Sequence, residues 1–364
     1  MNYSNSLSSA TVTDKPITVL IVDDSALVRQ ILTKVFDEAP GIEVVGACVD
    51  PYDAREQIKK LNPDVLTLDV EMPKMDGVTF LKNLMRLRPM PVVMISSLTE
   101  RGAEVTLKAL ELGAIDFVAK PKFDLAQSLE AYAEEIVGKV KMAARMGTRL
   151  VATPHHVDPT RNSQVTRPVV DLRTTERIVA IGSSTGGTEA VKDVFASLPA
   201  NSPGIVVAQH IPPVFSRSFA ERLNHSSALV VCEAADGQQI VPGHAYVAPG
   251  DYHLEVVRNG ARYECRLSQK DPVNRHRPSV DVLFDSVAQS AGKNALGIIL
   301  TGMGNDGAQG LKNMLDAGSE TVAQDEKTSV VWGMPGRAVE CGATERILPL
   351  ADIAGEITKF AGKP

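Results

Sequence analysis

The chain alternates short apolar segments of strand length with helical segments, and this alternation constrains its fold more than any other feature. Residues 17–22 are continuous and rich in β-branched side chains, as expected for a parallel strand that is buried on both faces. Ser25 can cap the helix that follows, in which apolar residues recur at every fourth position. Five such units predict an α/β domain with a five-stranded, doubly wound, flavodoxin-like sheet.

The alternation is interrupted once, in residues 147–176. Polar residues dominate there, and Pro154, Pro159 and Pro168 exclude a continuous helix. The strand–helix pattern then resumes at Arg177, which predicts a second α/β domain with a mainly parallel sheet. The predicted organisation is a disordered tail (1–16), a first domain (17–146), a linker (147–176) and a second domain (177–364).

Composition narrows the class of protein. A length of 364 residues allows two domains with substantial cores, and a net charge of −6 argues against general nucleic-acid binding. No apolar run approaches the roughly 20 residues that span a bilayer, and the polar start of the chain does not resemble a signal peptide. The four cysteines are scattered, which favours buried free thiols in a reducing compartment. We therefore expect a cytoplasmic protein without membrane insertion.

Polar side chains follow the strands of the first domain. Asp23 and Asp24 come after the first strand, Asp69 after the third, Ser96 after the fourth and Lys120 after the fifth. Because the carboxyl ends of parallel strands meet at one edge of the sheet, these side chains should converge. Each aspartate taken alone could be a helix cap or a turn residue, but the combination predicts an acidic site.

The chemistry of this acidic site suggests phosphoryl transfer. Three carboxylates would repel one another unless a hard cation neutralised them, and Mg²⁺ suits such a set of oxygen ligands. The metal would let an anionic phosphoryl donor approach Asp69, which could attack as a nucleophile. Lys120 would offer a positive charge to the phosphoryl oxygens, and the Ser96 hydroxyl could follow the new phosphate and shift the next helix.

The same residues carry a resemblance. Val-Asp-Asp-Ser (22–25), Leu-Asp-Val-Glu-Met-Pro (68–73), Met-Asp-Gly (75–77) and Ala-Lys-Pro (119–121) are similar to the signature of response-regulator receiver domains. The resemblance implies that Asp69 is the phospho-acceptor, that Asp23 and Asp24 are Mg²⁺ ligands, and that a histidine kinase is the phosphodonor. It also implies a cis peptide before Pro121.

The second domain opens with a candidate nucleophile. An apolar strand (178–181) runs into Gly-Ser-Ser-Thr-Gly-Gly (182–187), which has the pattern of a nucleophile elbow. Glycine- and serine-rich turns of this kind also bind phosphates, so the motif alone leaves both readings open. The register of the elbow places Ser184 at its tip, and Ser183 is the rival.

Two further reactive side chains follow later strands. His210 comes after residues 204–208, and Asp306 lies in Thr-Gly-Met-Gly-Asn-Asp-Gly (301–307), after residues 295–300. A serine, a histidine and an aspartate at strand ends predict a catalytic triad, in which histidine is the base and the carboxylate orients it. The backbone amides of Thr185 and Met303 are the predicted oxyanion donors.

Several residues keep alternatives open. Asp306 could instead be a helix N-cap, in which case Asp325 is the reserve candidate for the acid. Four other histidines are interpreted as surface or hydrogen-bonded structural residues: His225, His244, His253 and His276. Four polar residues could line a substrate groove or could simply begin a helix: Arg275, Arg277, Ser279 and Asp281.

The motifs of the second half, including His-Arg-Pro-Ser-Val-Asp (276–281) and Gly-Met-Pro (333–335), resemble chemotaxis-type protein-glutamate methylesterases from about residue 177 to 362. Carried over by position, the triad of the family is Ser184, His210 and Asp306. The resemblance implies hydrolysis of γ-glutamyl methyl esters on the cytoplasmic helices of chemoreceptors, deamidation of receptor glutamines, and no cofactor in this domain.

The two halves together suggest a switch. We expect the unphosphorylated first domain to pack over the Ser184 cleft and phosphorylation of Asp69 to loosen that packing. A non-catalytic, phospho-dependent receptor-binding adaptor is the main alternative, although the complete triad speaks against it. A transcriptional regulator would need a helix-turn-helix and a basic face in the second half, and the sequence has neither.

Overall fold

The first domain is built on a fully parallel sheet. The computed structural model describes residues 15–120, 126–150, 177–344 and 346–363. The strands of this sheet are β1 (Ile17–Val22), β2 (Ile42–Cys48), β3 (Val65–Asp69), β4 (Val92–Ser96) and β5 (Asp116–Ala119). Their order is β2-β1-β3-β4-β5, and every pairing is parallel, which confirms the predicted five-stranded doubly wound fold.

Helices cover both faces of this sheet. They are α1 (Ala26–Asp37), α2 (Pro51–Leu61), α3 (Gly77–Leu87), α4 (Glu100–Glu111) and α5 (Ala126–Leu150). The first four begin at a side chain that accepts a hydrogen bond from the first helical turn: Ser25, Asp50, Asp76 and Thr99. Every residue of β3 and β4 is buried, because helices cover the sheet on both sides.

Helix α5 is longer than the sequence indicated. It ends at Leu150, so the first four residues of the predicted linker, 147–150, are helical. No proline lies between Pro121 and Pro154, so none interrupts this helix. Gly147 lies close to Pro91, since a Cβ on this glycine would lie 3.1 Å from Pro91 Cγ. The remainder of the predicted linker, residues 1–14 of the predicted tail, and the Pro121 peptide lie outside the described residues.

The second domain contains a larger sheet and a small antiparallel one. Its strands are β6 (Ile178–Ser183), β7 (Gly204–Gln209), β8 (Val230–Glu233), β9 (Gln239–Ile240), β10 (His244–Val247), β11 (His253–Asn259), β12 (Arg262–Ser268), β13 (Ala295–Ile299), β14 (Glu320–Gln324) and β15 (Ile347–Leu348). The larger sheet has the order β15-β14-β13-β6-β7-β10-β8 and is parallel throughout, as predicted. The antiparallel sheet has the order β11-β12-β9.

The helices of the second domain place its strand ends along one edge. They are α6 (Gly187–Ala196), α7 (Pro213–Ser226), α8 (Val280–Ala291), α9 (Ala308–Asp316), α10 (Met334–Glu340) and α11 (Leu350–Ala361). Strands β6, β7 and β13 are adjacent in the sheet and entirely buried. The loops that follow these three strands therefore meet, and they carry the candidate triad.

The two domains pack against each other through α4 and β5 of the first and α6 and α7 of the second. The Phe117 and Phe215 rings stack with centroids 4.5 Å apart. Glu111, at the end of α4, pairs with Lys192 of α6 and Arg222 of α7. One cluster of buried apolar residues contains side chains from both domains. In the described parts of the chain, we find no helix with the length and apolarity that a membrane crossing requires.

Candidate functional site

A tight turn between β6 and α6 presents the candidate nucleophile. The Gly187 amide donates to the Ser184 carbonyl at 2.8 Å, which closes the turn. Gly186 has φ +75°, and a Cβ there would lie 2.6 Å from Val330 Cβ, so only glycine fits this position. Ser184 is partly exposed at the tip of the turn.

The two neighbouring serines have different surroundings. Ser183 is fully buried and its hydroxyl donates to Gln209 Oε1 at 2.6 Å. Gln209 Nε2 in turn donates to the backbone carbonyls of Ser184 (2.9 Å) and His210 (3.1 Å). Ser183 and Gln209 therefore form a buried hydrogen-bond network that supports the turn, whereas the Ser184 hydroxyl faces His210, the candidate base.

His210 lies between Ser184 and Asp306. Its Nδ1 is 3.2 Å from Ser184 Oγ, and its Nε2 is 2.7 Å from Asp306 Oδ2. Turning the ring over would bring carbon atoms to both partners, so the contacts fix its orientation. Since a carboxylate can only accept, Nε2 carries the proton and Nδ1 is free to accept one from Ser184. In the usual Ser-His-Asp triad, Nε2 faces the serine and Nδ1 faces the aspartate. Here the two ring nitrogens exchange these partners.

Asp306 is buried and held by several donors, with 2% of its surface exposed. Besides His210 Nε2, its carboxylate accepts hydrogen bonds from Asn274 Nδ2, Ser279 Oγ and the amides of Val280 and Asp281. Burial alone would raise the pKa of Asp306, but the hydrogen bond and charge of His210, followed by these other donors, hold the pKa well below its usual range. The group is therefore an anion across the physiological range.

The predicted oxyanion residues lie beside Ser184. A Cβ on Gly302 would be 2.9 Å from Ser184 Cβ, so this glycine lets the loop carrying Met303 approach the nucleophile closely. The Thr301 hydroxyl links the same loop to the elbow by donating to the Thr185 carbonyl at 2.9 Å. Thr185 follows Ser184 in the elbow and Met303 lies in the loop that packs against it, so both residues stay candidates for the oxyanion site.

The first domain contacts the surroundings of this site. The Thr185 hydroxyl donates to Asp116 Oδ2 on β5. The Met303 side chain packs against Gly138 of α5, where an added Cβ would lie 3.1 Å from Met303 Cε. Arg275 pairs with Glu134 of α5. The elbow that carries Ser184 and the loop that carries Met303 thus both contact the first domain.

The predicted acidic site also forms, at the edge of the first sheet. Carboxylate oxygens of Asp23, Asp24 and Asp69 lie within 4.8 Å of one another, with Asp23 and Asp69 buried and Asp24 exposed. Lys120 Nζ lies 2.8 Å from Asp69 Oδ2 and 3.4 Å from Asp23 Oδ2. Burial raises the pKa of Asp69 to about 6; Lys120 opposes this effect and the charge of Asp23 adds to it.

The donor set of the acidic site fits Mg²⁺. It consists of carboxylate oxygens, the ligands that a hard divalent cation prefers. Asp23 Oδ2 is buried and, among the described residues, has no hydrogen-bond partner. Lys120 Nζ lies 3.4 Å from this oxygen without a hydrogen bond to it, so a cation bound among the three carboxylates would supply a contact that the oxygen lacks.

Ser96 connects the acidic site to the domain contact. It is buried and accepts a hydrogen bond from the Thr106 hydroxyl of α4 at 2.7 Å. Helix α4 packs on α7 of the second domain. A change at the acidic site that moves Ser96 can therefore reach the contact between the domains.

The remaining sequence candidates have other partners. Asp325 accepts from the amide and hydroxyl of Thr328, and His210 contacts Asp306 instead. Arg277 binds Asp251 and the carbonyls of Gln269 and Lys270. Asp281 accepts from the Gly310 amide at 2.6 Å and from Asn274. Ser279 thus binds the Asp306 carboxylate, and Asp281 binds the first turn of α9, the helix that follows Asp306.

The other histidines divide into two groups. Three bond to backbone carbonyls, as interpreted from the sequence: His225 to Glu221, His244 to Pro242 and His253 to Asp271. The fourth, His276, stacks its ring on that of His210, with centroids 3.6 Å apart and planes 13° from parallel. Sequence reasoning missed this contact, as well as the roles of Asn274 and Gln209 beside the triad.

Comparison with known proteins agrees with the two domains. The family model for the response regulator receiver domain matches residues 19–132, and the model for CheB methylesterase matches residues 179–357. A protein-glutamate methylesterase/protein-glutamine glutaminase of Xanthomonas campestris is 58% identical over 353 residues, which cover 96% of this chain and 99% of that protein. One of Hahella chejuensis is 56% identical over 345 residues, which cover 94% and 96%.

Among solved structures, the catalytic domain of Thermotoga maritima CheB methylesterase is 40% identical, with a TM-score of 0.49; the match covers 50% of this chain and 97% of that domain. The two family models occupy the two domains in turn, and the curated relatives are matched over nearly their whole length. The chain therefore belongs to the family of CheB protein-glutamate methylesterases/protein-glutamine glutaminases, which join a response-regulator receiver domain to a methylesterase domain.

Proposed function

We propose that this chain hydrolyses methyl esters of glutamate side chains in chemoreceptors, and deamidates receptor glutamines, by means of Ser184, His210 and Asp306. The observation that carries the proposal is the continuous arrangement of Ser184 Oγ, the His210 ring and the Asp306 carboxylate. The high identity to methylesterase/glutaminases over almost the whole chain supports the substrate class.

Each atom of the triad has a task in the proposed mechanism. His210 Nδ1 takes the proton of Ser184 Oγ as the oxygen attacks the ester carbonyl, and Asp306 stabilises the imidazolium through Nε2–H. The amides of Thr185 and Met303 would donate to the oxyanion of the tetrahedral intermediate. Nδ1–H then protonates the leaving methoxide, and methanol departs from the acyl-enzyme. Water, deprotonated by the same nitrogen, releases the glutamate and restores Ser184.

Deamidation follows the same course. A glutamine side chain presents its carbonyl carbon in the same position as the ester, and His210 Nδ1–H protonates the departing amine so that ammonia leaves. The acyl-enzyme formed is identical in the two reactions. One site can therefore serve both activities.

The acidic site would accept the phosphoryl group. Asp69 is the proposed nucleophile, and Asp23, Asp24 and Asp69 would hold Mg²⁺, which supplies positive charge against which an anionic donor can approach. Lys120, already 2.8 Å from Asp69, would contact the phosphoryl oxygens. Ser96 would turn toward the new phosphate, and its hydrogen bond with Thr106 would move α4 with it.

The contact between the domains suggests how phosphorylation controls the esterase. In this structure the receiver domain touches Thr185, Met303 and Arg275 around the cleft. Phosphorylation would loosen these contacts and admit the receptor. We assign the receiver to residues 17–146 and the esterase to 177–364, with the linker between them. A chemotaxis histidine kinase would be the phosphodonor, in the cytoplasm, where the receptor signalling domains lie.

The test is methanol release from a methylated receptor fragment, with Mg²⁺ and a small phosphodonor present or absent. The wild type should respond to the phosphodonor. Ser184→Ala should lose at least about 10⁴-fold of the activity, because the nucleophile is gone. Asp69→Ala should keep basal activity and lose the response. Full biological output from Ser184→Ala would instead favour the adaptor function.

A further inference from the structure

His276 occupies an unusual place, stacked flat on the catalytic base. Hydrogen bonds to an imidazole lie in the plane of the ring, so a partner on its face leaves both nitrogens free. The stack of His276 on His210 is therefore compatible with the contacts to Ser184 and Asp306. We propose, on the basis of the esterase mechanism above, that His276 is a positioning residue that fixes the plane of the His210 ring through this stack.

The segment that carries His276 is held firmly. Asn274 and Arg275 both have positive φ, 52° and 67°, which is uncommon for residues other than glycine. Val273 and His276 exchange backbone hydrogen bonds of 2.9 and 3.1 Å. Asn274 Nδ2 donates to Asp306, so this loop supports both the acid and the base. Uncommon backbone conformations persist where the surroundings enforce them, and they cluster at functional sites.

His276 is neutral at physiological pH, which suits a ring stacked on His210, the base that becomes positively charged during the reaction. Burial lowers the pKa of His276 to about 4, and the charge of His210 adds to this effect. The other groups that face it are Asp306 and, from α5 of the receiver, Glu135 and Lys139. At neutral pH, His276 is therefore an uncharged ring, which can lie against the imidazolium of His210 without the repulsion of a second cation.

A fixed ring plane matters because proton transfer requires alignment. Nδ1 must point at Ser184 Oγ while Nε2 points at Asp306, and rotation of the ring breaks both contacts together. Stacked aromatic pairs contribute enough to change a rate by a factor of about 2 to 13. His276→Ala should thus lower kcat about tenfold and leave KM within about twofold, because the ring acts through His210.

The experiment uses the full chain with Mg²⁺ and a saturating phosphodonor, so that the receiver does not limit access. It measures the rate of Ser184 labelling by a fluorophosphonate, together with kcat and KM for methanol release. His276→Phe keeps a flat uncharged ring and should label within about threefold of wild type, whereas His276→Ala should label about tenfold more slowly. Val273→Ala, in the same loop, is the matched control and should label at the wild-type rate.

The outcomes separate the two hypotheses. If wild type does not label, the proposed nucleophile fails and the inference falls with it. If wild type labels and His276→Ala labels equally fast, or if His276→Phe is as slow as His276→Ala, stacking does not position His210 and the inference is overturned. A slow Val273→Ala would also overturn it, because the loop as a whole would then be responsible. Thermal unfolding of each variant shows which of them are folded.

Discussion

Asp69 in the receiver domain and Asp306 in the esterase domain are both buried carboxylates at the carboxyl ends of parallel strands, yet their environments differ. Asp306 accepts from His210, two other side chains and two backbone amides. Asp69 has Lys120 and the Glu71 amide as partners and faces the charge of Asp23. The pKa of Asp306 is lowered, whereas that of Asp69 is raised.

The site around Asp306 is therefore organised by the chain itself, whereas the site around Asp69 depends on groups that bind to it. The donors around Asp306 belong to the chain, so its charge is stabilised before a substrate arrives. The carboxylates around Asp69 repel one another, and Lys120 offsets this repulsion only in part because the pKa of Asp69 stays raised, so an added divalent cation would stabilise them together. The receiver can therefore respond to a chemical signal, while the esterase needs only access.

The largest expected effect tests the organised site. Asp306→Asn should lower kcat for methanol release about 10⁴-fold, because a neutral amide cannot stabilise the imidazolium. Asp325→Asn is the matched control and should stay within about twofold of wild type, since Asp325 caps the turn at Thr328. Equal losses in the two variants, measured at saturating phosphodonor, would contradict the assignment of the acid.

Much of this arrangement could be predicted from the sequence. Buried parallel strands are continuous apolar runs, so both large sheets could be recognised, and their strand ends placed Ser184, His210 and Asp306 together as candidates. The small antiparallel sheet was not predicted. Its strands β11 and β12 contain charged residues on a partly exposed face, such as Glu264 and Arg266, and their apolar runs are short.

The features that escaped prediction depend on contacts between distant segments. The stack of His276 on His210 requires a loop with positive φ at two consecutive residues, which no local pattern announced. The Asp116–Thr185 hydrogen bond joins two domains, and an aspartate in a strand gives no indication of its partner. Strand ends are positioned by the sheet, whereas loops and domain contacts are positioned by the whole chain.

Replacement of one aspartate by asparagine should have opposite effects on stability in the two sites. In Mg²⁺-free buffer, Asp306→Asn should lower the free energy of unfolding by about 3 kcal/mol, because the amide nitrogen of asparagine cannot accept the hydrogen bonds that buried donors make to the carboxylate. Asp23→Asn should raise it by about 1 kcal/mol, because one of the repelling carboxylates is gone. Urea unfolding with fluorescence or circular dichroism measures both.

Magnesium provides the control for this pair. Added Mg²⁺ should stabilise the wild type and Asp306→Asn equally, since the receiver is intact in both, and should stabilise Asp23→Asn less. A loss of stability in Asp23→Asn without Mg²⁺ would mean that repulsion does not dominate the acidic site. The contrast between the two carboxylates would then fail.

The smallest expected effect concerns the contact through which one site controls the other. Burial would raise the pKa of Glu111, but hydrogen bonds from Lys108 and Lys192 and the charge of Arg222 lower it to about 2. A lowered pKa means that this carboxylate stabilises the packed domains above its usual pKa, and that the contribution disappears as the pH falls toward 2. The full contribution is therefore present at neutral pH.

Glu111→Gln should weaken the closed arrangement by about 1 kcal/mol, which corresponds to roughly a fivefold rise in basal esterase activity. The rate at saturating phosphodonor should not change, because the contact is already released there. Glu38→Gln, which removes an exposed partner of Lys34 on the same domain, should alter neither rate. If Glu111→Gln changed the phosphorylated rate as much as the basal one, Glu111 would act on the esterase itself, and the closed contact would not be what restrains an otherwise complete active site.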